Sequence, residues 1–241
     1  RLYKSLSPDS PDTNVTQLWE PGLFGDIESL YLNPDGISIN PNIYTRDIIK
    51  ETNTPISAGF LGQNIYKSFF SMMDDLVTNS KINRWGSYPY DWRQGVQDIV
   101  DNGTSHFGEK LSLTAVLQTL VETSKNGKVT IIAHSNGGLI AKAFLKKLED
   151  DKASGKNDLI DHVDVLIMVA VPEIGTASAV PAILHGYDQH VLNGFVLDEI
   201  HARELARNMS SAFSLLPSKE YLNHVSSSPV TFVDNPVPSG V

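Results

Sequence analysis

The sequence predicts an α/β protein, because continuous apolar segments alternate with segments whose apolar residues repeat at helical spacing. The apolar segments span residues 129–133 and 163–171, and each has the length of a strand that is buried on both faces. Buried strands that alternate with amphipathic helices are typical of parallel β-α-β units. We therefore expect a mainly parallel sheet with helices on both of its faces.

Apolar residues recur every three or four positions over 69–77 and again over 113–121, which predicts two amphipathic helices packed on a core. Residues 1–60 instead contain turn signals such as "SPDSPD" and "NPDG", and no strong period. We expect residues 1–60 to form an irregular surface or cap excursion. Residues 61–241 are then expected to form a partial core with the start of a cap region.

Composition excludes several classes of protein. The chain has 241 residues, 41% of them hydrophobic, which is enough apolar surface for a substantial core. Its net charge of −9 argues against a nucleic acid as partner, since phosphate contacts require clusters of Lys and Arg. It contains no Cys, so neither disulfides nor cysteine metal sites are expected. No apolar run approaches the roughly 20 residues that a transmembrane helix needs.

The segment "VTIIAHSNGGLIAKAF", residues 129–144, joins a strand directly to a helix through Ser135. Ala133 and Gly137 flank the serine at two residues on either side, as the crowding at a sharp strand-to-helix turn demands. This is the pattern of a nucleophile elbow with Ala in its first position. The backbone N–H of Asn136 would begin the helix without a helical acceptor and could stabilise an oxyanion. The alternative is a serine that caps an ordinary helix, with glycines for packing.

A nucleophilic serine needs a base, normally a histidine that an acidic residue orients. None of the seven histidines lies in a strand-loop context that marks a base, and His134 is expected to point away from the serine hydroxyl. Glu173 follows the strand 163–171 and is the acidic candidate that topology favours. A structural or solvent-facing role is the alternative for Glu173.

Three motifs in this order resemble the lecithin:cholesterol acyltransferase family, which includes lysosomal phospholipase A2 and phospholipid:diacylglycerol acyltransferase. They are "YPYDWRQ" at 88–94, "AHSNGG" at 133–138 and "MSSAFSLLPSKEYL" at 209–222, and the resemblance is strongest over residues 64–234. It implies an α/β-hydrolase fold with a cap. It also implies acyl transfer from lipid esters through an acyl-serine.

Matched motif to motif, the resemblance assigns Ser135 as nucleophile and Asn136 as the backbone oxyanion donor. Asp91 and Arg93 would form a structural ion pair beside the site, with Trp92 packing against it. In the family, the second oxyanion donor precedes the position of Arg1, and the acid and base lie beyond "LLPS". We therefore expect a fragment that is incomplete at both ends, with its base beyond Val241.

The predicted function is that of a serine hydrolase or O-acyltransferase acting on lipid esters, with no metal or organic cofactor. Its expected partners are lipid or other acyl ester substrates and, transiently, a membrane or lipid interface. A general carboxylesterase or thioesterase with the same elbow is one alternative, and a non-catalytic hydrolase-like binding module is another. We expect a secreted or cell-envelope location.

Overall fold

The computed structural model describes residues 1–5, 15–19, 27–51, 64–189 and 197–231, to which the following description applies. The strands are β1 (Leu2–Ser5), β2 (Val15–Trp19), β3 (Ile43–Thr45), β4 (Thr104–His106), β5 (Glu109–Leu111), β6 (Val129–His134) and β7 (Val163–Val169). The α-helices are α1 (Lys67–Thr78), α2 (Val96–Asn102), α3 (Leu113–Thr123), α4 (Asn136–Ala153), α5 (Ala179–His185), α6 (Glu199–Ala206), α7 (Ser210–Phe213) and α8 (Lys219–His224). Short 3₁₀ helices span Glu28–Leu30 and Leu159–His162.

The described strands form two sheets. Five of them pair in the order β2-β1-β3-β4-β5, and β6 pairs with β7 separately. The mixture of helices and strands confirms the α/β class, but within the larger sheet only the β3–β4 pairing is parallel. The mainly parallel sheet that we expected is therefore not seen among these strands. One reason is local, since β4 and β5 are joined by two residues with positive φ, Phe107 and Gly108, and so short a turn permits only antiparallel pairing.

The described part of residues 1–60 contains β1, β2, β3 and a 3₁₀ helix, where an irregular excursion was expected. Its apolar side chains form one buried cluster with Leu197 and with residues of α6. The cluster contains Leu2, Leu18, Ile27, Leu30, Ile43, Leu197, Ala202 and Leu205. The strands are short and pair with segments distant in the chain, so they leave no clear period in the sequence. The domain boundary at residue 60 stays a prediction.

A second buried cluster holds the helices around the β6-α4-β7 unit. It contains Ile99 and Val100 of α2, Leu117 of α3, and Ile140, Phe144 and Leu148 of α4. The helices predicted over 113–121 and directly after the strand 129–133 are confirmed as α3 and α4. The helix predicted over 69–77 is confirmed as α1, but its one buried residue is Phe70, which lies outside the predicted apolar face.

The prediction that β7 is buried on both faces is wrong. Val165, Ile167 and Val169 each expose more than 40% of their surface. They share one face with the residues of β6 to which they pair, including Ile132, which is also exposed. Within the described part of the chain, α4 packs against this strand pair, but the face with Ile132 and Ile167 is left open.

No helix among the described residues is both long and apolar enough to cross a membrane.

Candidate active site

Ser135 occupies the turn between β6 and α4, with no spacer on either side. Its backbone has φ 52° and ψ −130°, a positive φ in a residue that has a Cβ. Such a conformation costs on the order of 1–3 kcal/mol and persists only where the surroundings impose it. The serine expected at a strained strand-to-helix turn therefore has the backbone geometry of such a turn.

Three contacts hold the turn in place. The Ser135 N–H donates to the carbonyl of Val169 at 3.0 Å, and the Gly138 N–H donates to the carbonyl of Ser135 at 2.9 Å. A Cβ added to Gly138 would lie 2.6 Å from Val171 Cγ1 and closer still to Cγ2. Gly138 is therefore required by the close approach of Val171, which follows β7. The end of β7 and the start of α4 clamp the serine between them.

Asn136 is the first residue of α4, so its backbone N–H has no acceptor within the helix. Its side-chain Oδ1 is buried and has no hydrogen-bond partner. The Tyr90 hydroxyl lies 4.0 Å from the position that a Cβ on Gly137 would take. Burial raises the pKa of Tyr90 to about 12, and the neighbouring Asn136 side chain opposes that shift. A neutral phenol therefore stands beside the residues that follow Ser135.

None of the described histidines forms a hydrogen bond with Ser135. The imidazole of His134 points to Tyr66 instead, with Nδ1 2.6 Å from the Tyr66 hydroxyl oxygen. Other imidazoles bond elsewhere: His106, His162 and His224 to backbone carbonyls, and His201 to Asp198. His190 lies outside the described residues. The position of the base stays a prediction.

Glu173 lies after β7, as expected, and its carboxylate pairs with Lys142 Nζ of α4 at 2.5 Å. Both side chains are exposed, 41% for Glu173 and 50% for Lys142. Glu173 therefore forms an exposed ion pair, and its role as a solvent-facing residue stays the alternative. An acidic role for Glu173 toward a histidine stays a prediction.

Asp91 and Arg93 form a buried, two-pronged ion pair. Arg93 Nε donates to Asp91 Oδ1 at 2.9 Å, and Nη2 donates to Oδ2 at 2.6 Å. The Arg93 side chain is 1% exposed, and its Nη1 donates to the carbonyl of Leu30 at 2.9 Å and to Ser38 Oγ at 3.2 Å. The pair thus fastens residues 30–38 to the segment that carries Tyr90.

Trp92 packs against Trp19 of β2, with ring centroids 4.9 Å apart. Its carbonyl accepts a hydrogen bond from the Ser211 hydroxyl of α7. The "YDWR" segment therefore contacts β2, the start of α4 and α7. Sequence reasoning identified Asp91, Trp92 and Arg93 but missed Tyr90 in the same motif and Tyr66 before α1. The signal for Tyr90 was its place within "YPYDWR".

A family model described as lecithin:cholesterol acyltransferase matches residues 37–236 of the chain. That match covers all three motifs and most of the described structure. No curated protein and no solved structure matches the chain significantly.

Proposed function

Because the chain belongs to the lecithin:cholesterol acyltransferase family, we propose that it is a serine-dependent hydrolase or O-acyltransferase of lipid esters. Membership of the family implies a lipid-acting acyltransferase or hydrolase. The proposal adds the mechanism, in which Ser135 is the nucleophile. The observation that carries it is the conformation of Ser135, held at φ 52° between β6 and α4. A serine that merely caps a helix needs no such strain.

In the proposed reaction the Ser135 hydroxyl attacks the carbonyl carbon of the ester, and a base takes its proton. The carbonyl oxygen becomes an oxyanion, to which the Asn136 N–H donates a hydrogen bond. One such donor is worth roughly 3 kcal/mol of barrier. The alcohol leaves with a proton, and acyl-Ser135 remains. Water then releases a fatty acid, or an acceptor alcohol takes the acyl group.

We further propose that β6, α4 and β7 are the central β-α-β unit of an α/β-hydrolase fold. The two strands pair in parallel, and α4, which follows β6 in the chain, contacts both of them. The nucleophile would then lie at the carboxyl end of the sheet, where open α/β sheets bind ligands. Asp91, Trp92 and Arg93 would support the site by fixing Tyr90 beside the elbow.

A non-catalytic, hydrolase-like binding module is the rival function. The observation in its favour is that no histidine of the described residues bonds the Ser135 hydroxyl. The strained backbone of Ser135 argues against a binding module, since a serine that served only in packing would not need a positive φ. Measurement of turnover separates the two functions.

The test compares hydrolysis of a long-chain phospholipid in vesicles with that of p-nitrophenyl butyrate, using the complete product of the gene. We expect the wild-type protein to prefer the long-chain substrate at the vesicle surface. Ser135→Ala should abolish turnover of both while its far-UV circular dichroism and melting temperature are retained. Esterase activity near the wild-type level in that variant would refute the assignment, and a preference for the short ester would favour a general carboxylesterase.

A further inference from the structure

The residue before the proposed nucleophile is tied by its side chain to a distant tyrosine. His134 ends β6, and its Nδ1 lies 2.6 Å from the hydroxyl oxygen of Tyr66. The two rings meet edge to face, with centroids 5.6 Å apart and an interplanar angle of 77°. The residues lie 68 positions apart in the chain, so this contact is tertiary.

Tyr66 is itself held firmly. It directly precedes α1, and its N–H donates to the carbonyl of Lys50 at 2.9 Å. Its ring stacks with that of Phe70, the buried residue of α1, which in turn contacts Trp85 at 5.0 Å. The hydroxyl is therefore presented to His134 from a fixed backbone and a packed ring.

The direction of the hydrogen bond follows from the chemistry of the two groups. Burial raises the pKa of Tyr66, so its hydroxyl is protonated at neutral pH. An unprotonated imidazole nitrogen is a better acceptor than a phenol oxygen, and a neutral imidazole carries only one proton. When the phenol donates to Nδ1, the proton of neutral His134 lies on Nε2.

We propose that Tyr66 is a positioning residue for Ser135, acting through the Nε2–H tautomer of His134. This inference rests on the proposed function, because it concerns the same nucleophile. The backbone of Ser135 is strained, and its hydroxyl must lie at a fixed distance from the ester carbonyl. The peptide plane of His134 leads directly into that strained residue. Anchoring the His134 side chain would restrain this plane in addition to the clamp from Val169 and Val171.

The first arm of the test uses NMR and needs no catalysis. In protein labelled with ¹⁵N-histidine, we expect the nitrogen shifts of neutral His134 to be those of the Nε2–H tautomer. In Tyr66→Phe, the Nδ1–H form should gain population, and the amide resonances of Ser135 and Asn136 should move. An Nδ1–H tautomer in the wild-type protein, or unmoved elbow resonances in Tyr66→Phe, would overturn the proposal.

The second arm measures steady-state hydrolysis of p-nitrophenyl butyrate by the complete gene product. Tyr66→Phe should lower kcat about tenfold with KM within twofold, as expected when a reacting group is misplaced but substrate binding is kept. Tyr3→Phe is the matched control, because it also removes a hydroxyl hydrogen bond, to Asp47 at 3.0 Å, in the amino-terminal sheet. If the two variants lowered kcat equally, Tyr66 would be an ordinary stabilising residue and not a positioning residue.

A double-mutant cycle with His134→Ala tests whether Tyr66 acts through the imidazole. Once His134 is replaced, loss of the Tyr66 hydroxyl should lower kcat by less than about twofold. A full tenfold effect in that background would contradict the route through His134. If the wild-type protein hydrolyses no ester, the proposed function fails, and the NMR arm alone then decides whether Tyr66 fixes the elbow.

Discussion

The Asp91–Arg93 pair and the Ser135 turn both lie in short motifs, but they differ in whether their polar groups have hydrogen-bond partners. In the pair, both carboxylate oxygens and three guanidinium nitrogens have partners, although the site is almost completely buried. At the turn, the backbone is strained, the Asn136 Oδ1 has no partner, and the Asn136 N–H has no helical acceptor.

This contrast separates a stabilising element from one that is reactive in the proposed function. Buried charges are tolerated only when they are fully paired, so the ion pair has one arrangement and fastens distant segments together. Groups that are strained or left without partners reduce stability and persist where the surrounding structure compensates. The clamp around Ser135 supplies that compensation, and the ion pair fixes the neighbouring segment that carries Tyr90.

The largest effect on stability is expected from breaking the buried pair. Asp91→Asn keeps the size of the side chain but leaves the Arg93 charge buried and unpaired, which should lower the free energy of unfolding by about 3–5 kcal/mol. Urea unfolding followed by circular dichroism measures this change. A loss below about 1 kcal/mol, the range of exposed pairs, would mean that the pair is not a stabilising anchor.

A smaller loss is expected from crowding the turn. Gly138→Ala places a methyl group against the γ-carbons of Val171, and such overpacking costs roughly 1–3 kcal/mol. Val171→Ala in the same protein removes those γ-carbons and should restore part of the loss. If Gly138→Ala unfolds at the wild-type urea concentration and keeps wild-type esterase activity, the clamp around Ser135 is not tight.

The smallest effect is expected at the exposed pair. Glu173→Gln weakens the contact with Lys142 and should change the free energy of unfolding by less than about 1 kcal/mol. The same variant decides between the two roles left open for Glu173. Esterase activity within about twofold of wild type indicates a surface ion pair, whereas a loss of about 10⁴-fold is the effect expected of an acid that orients a catalytic histidine.

Local patterns predicted the elements around the elbow well. The strand 129–133, the helix after it and the helix over 113–121 are each specified by residues adjacent in the chain. The Asp91–Arg93 pair was predicted from the family resemblance of the "YDWR" motif, in which both partners lie. Even here the exposure of β7 was missed, since burial depends on which segments pack against a strand and not on its own apolar residues.

Features that depend on distant residues could not be predicted. The strands of residues 1–60 pair across long separations, as β1 does with β3, and their apolar residues pack with Leu197 and Leu205. The contact between Tyr66 and His134 likewise joins two segments with no common motif. The general base that the proposed function requires would leave no local signal, because an imidazole needs only to reach the serine in space.

The most direct test of the central claim is to treat the complete gene product with a fluorophosphonate and map the modified peptide by mass spectrometry. We predict one phosphonyl group per chain, on Ser135, and none in Ser135→Ala. Labelling at another residue, or equal labelling of the Ser135→Ala variant, would contradict the assignment of Ser135 as the nucleophile. An unlabelled wild-type protein would mean that the strained turn does not activate a serine.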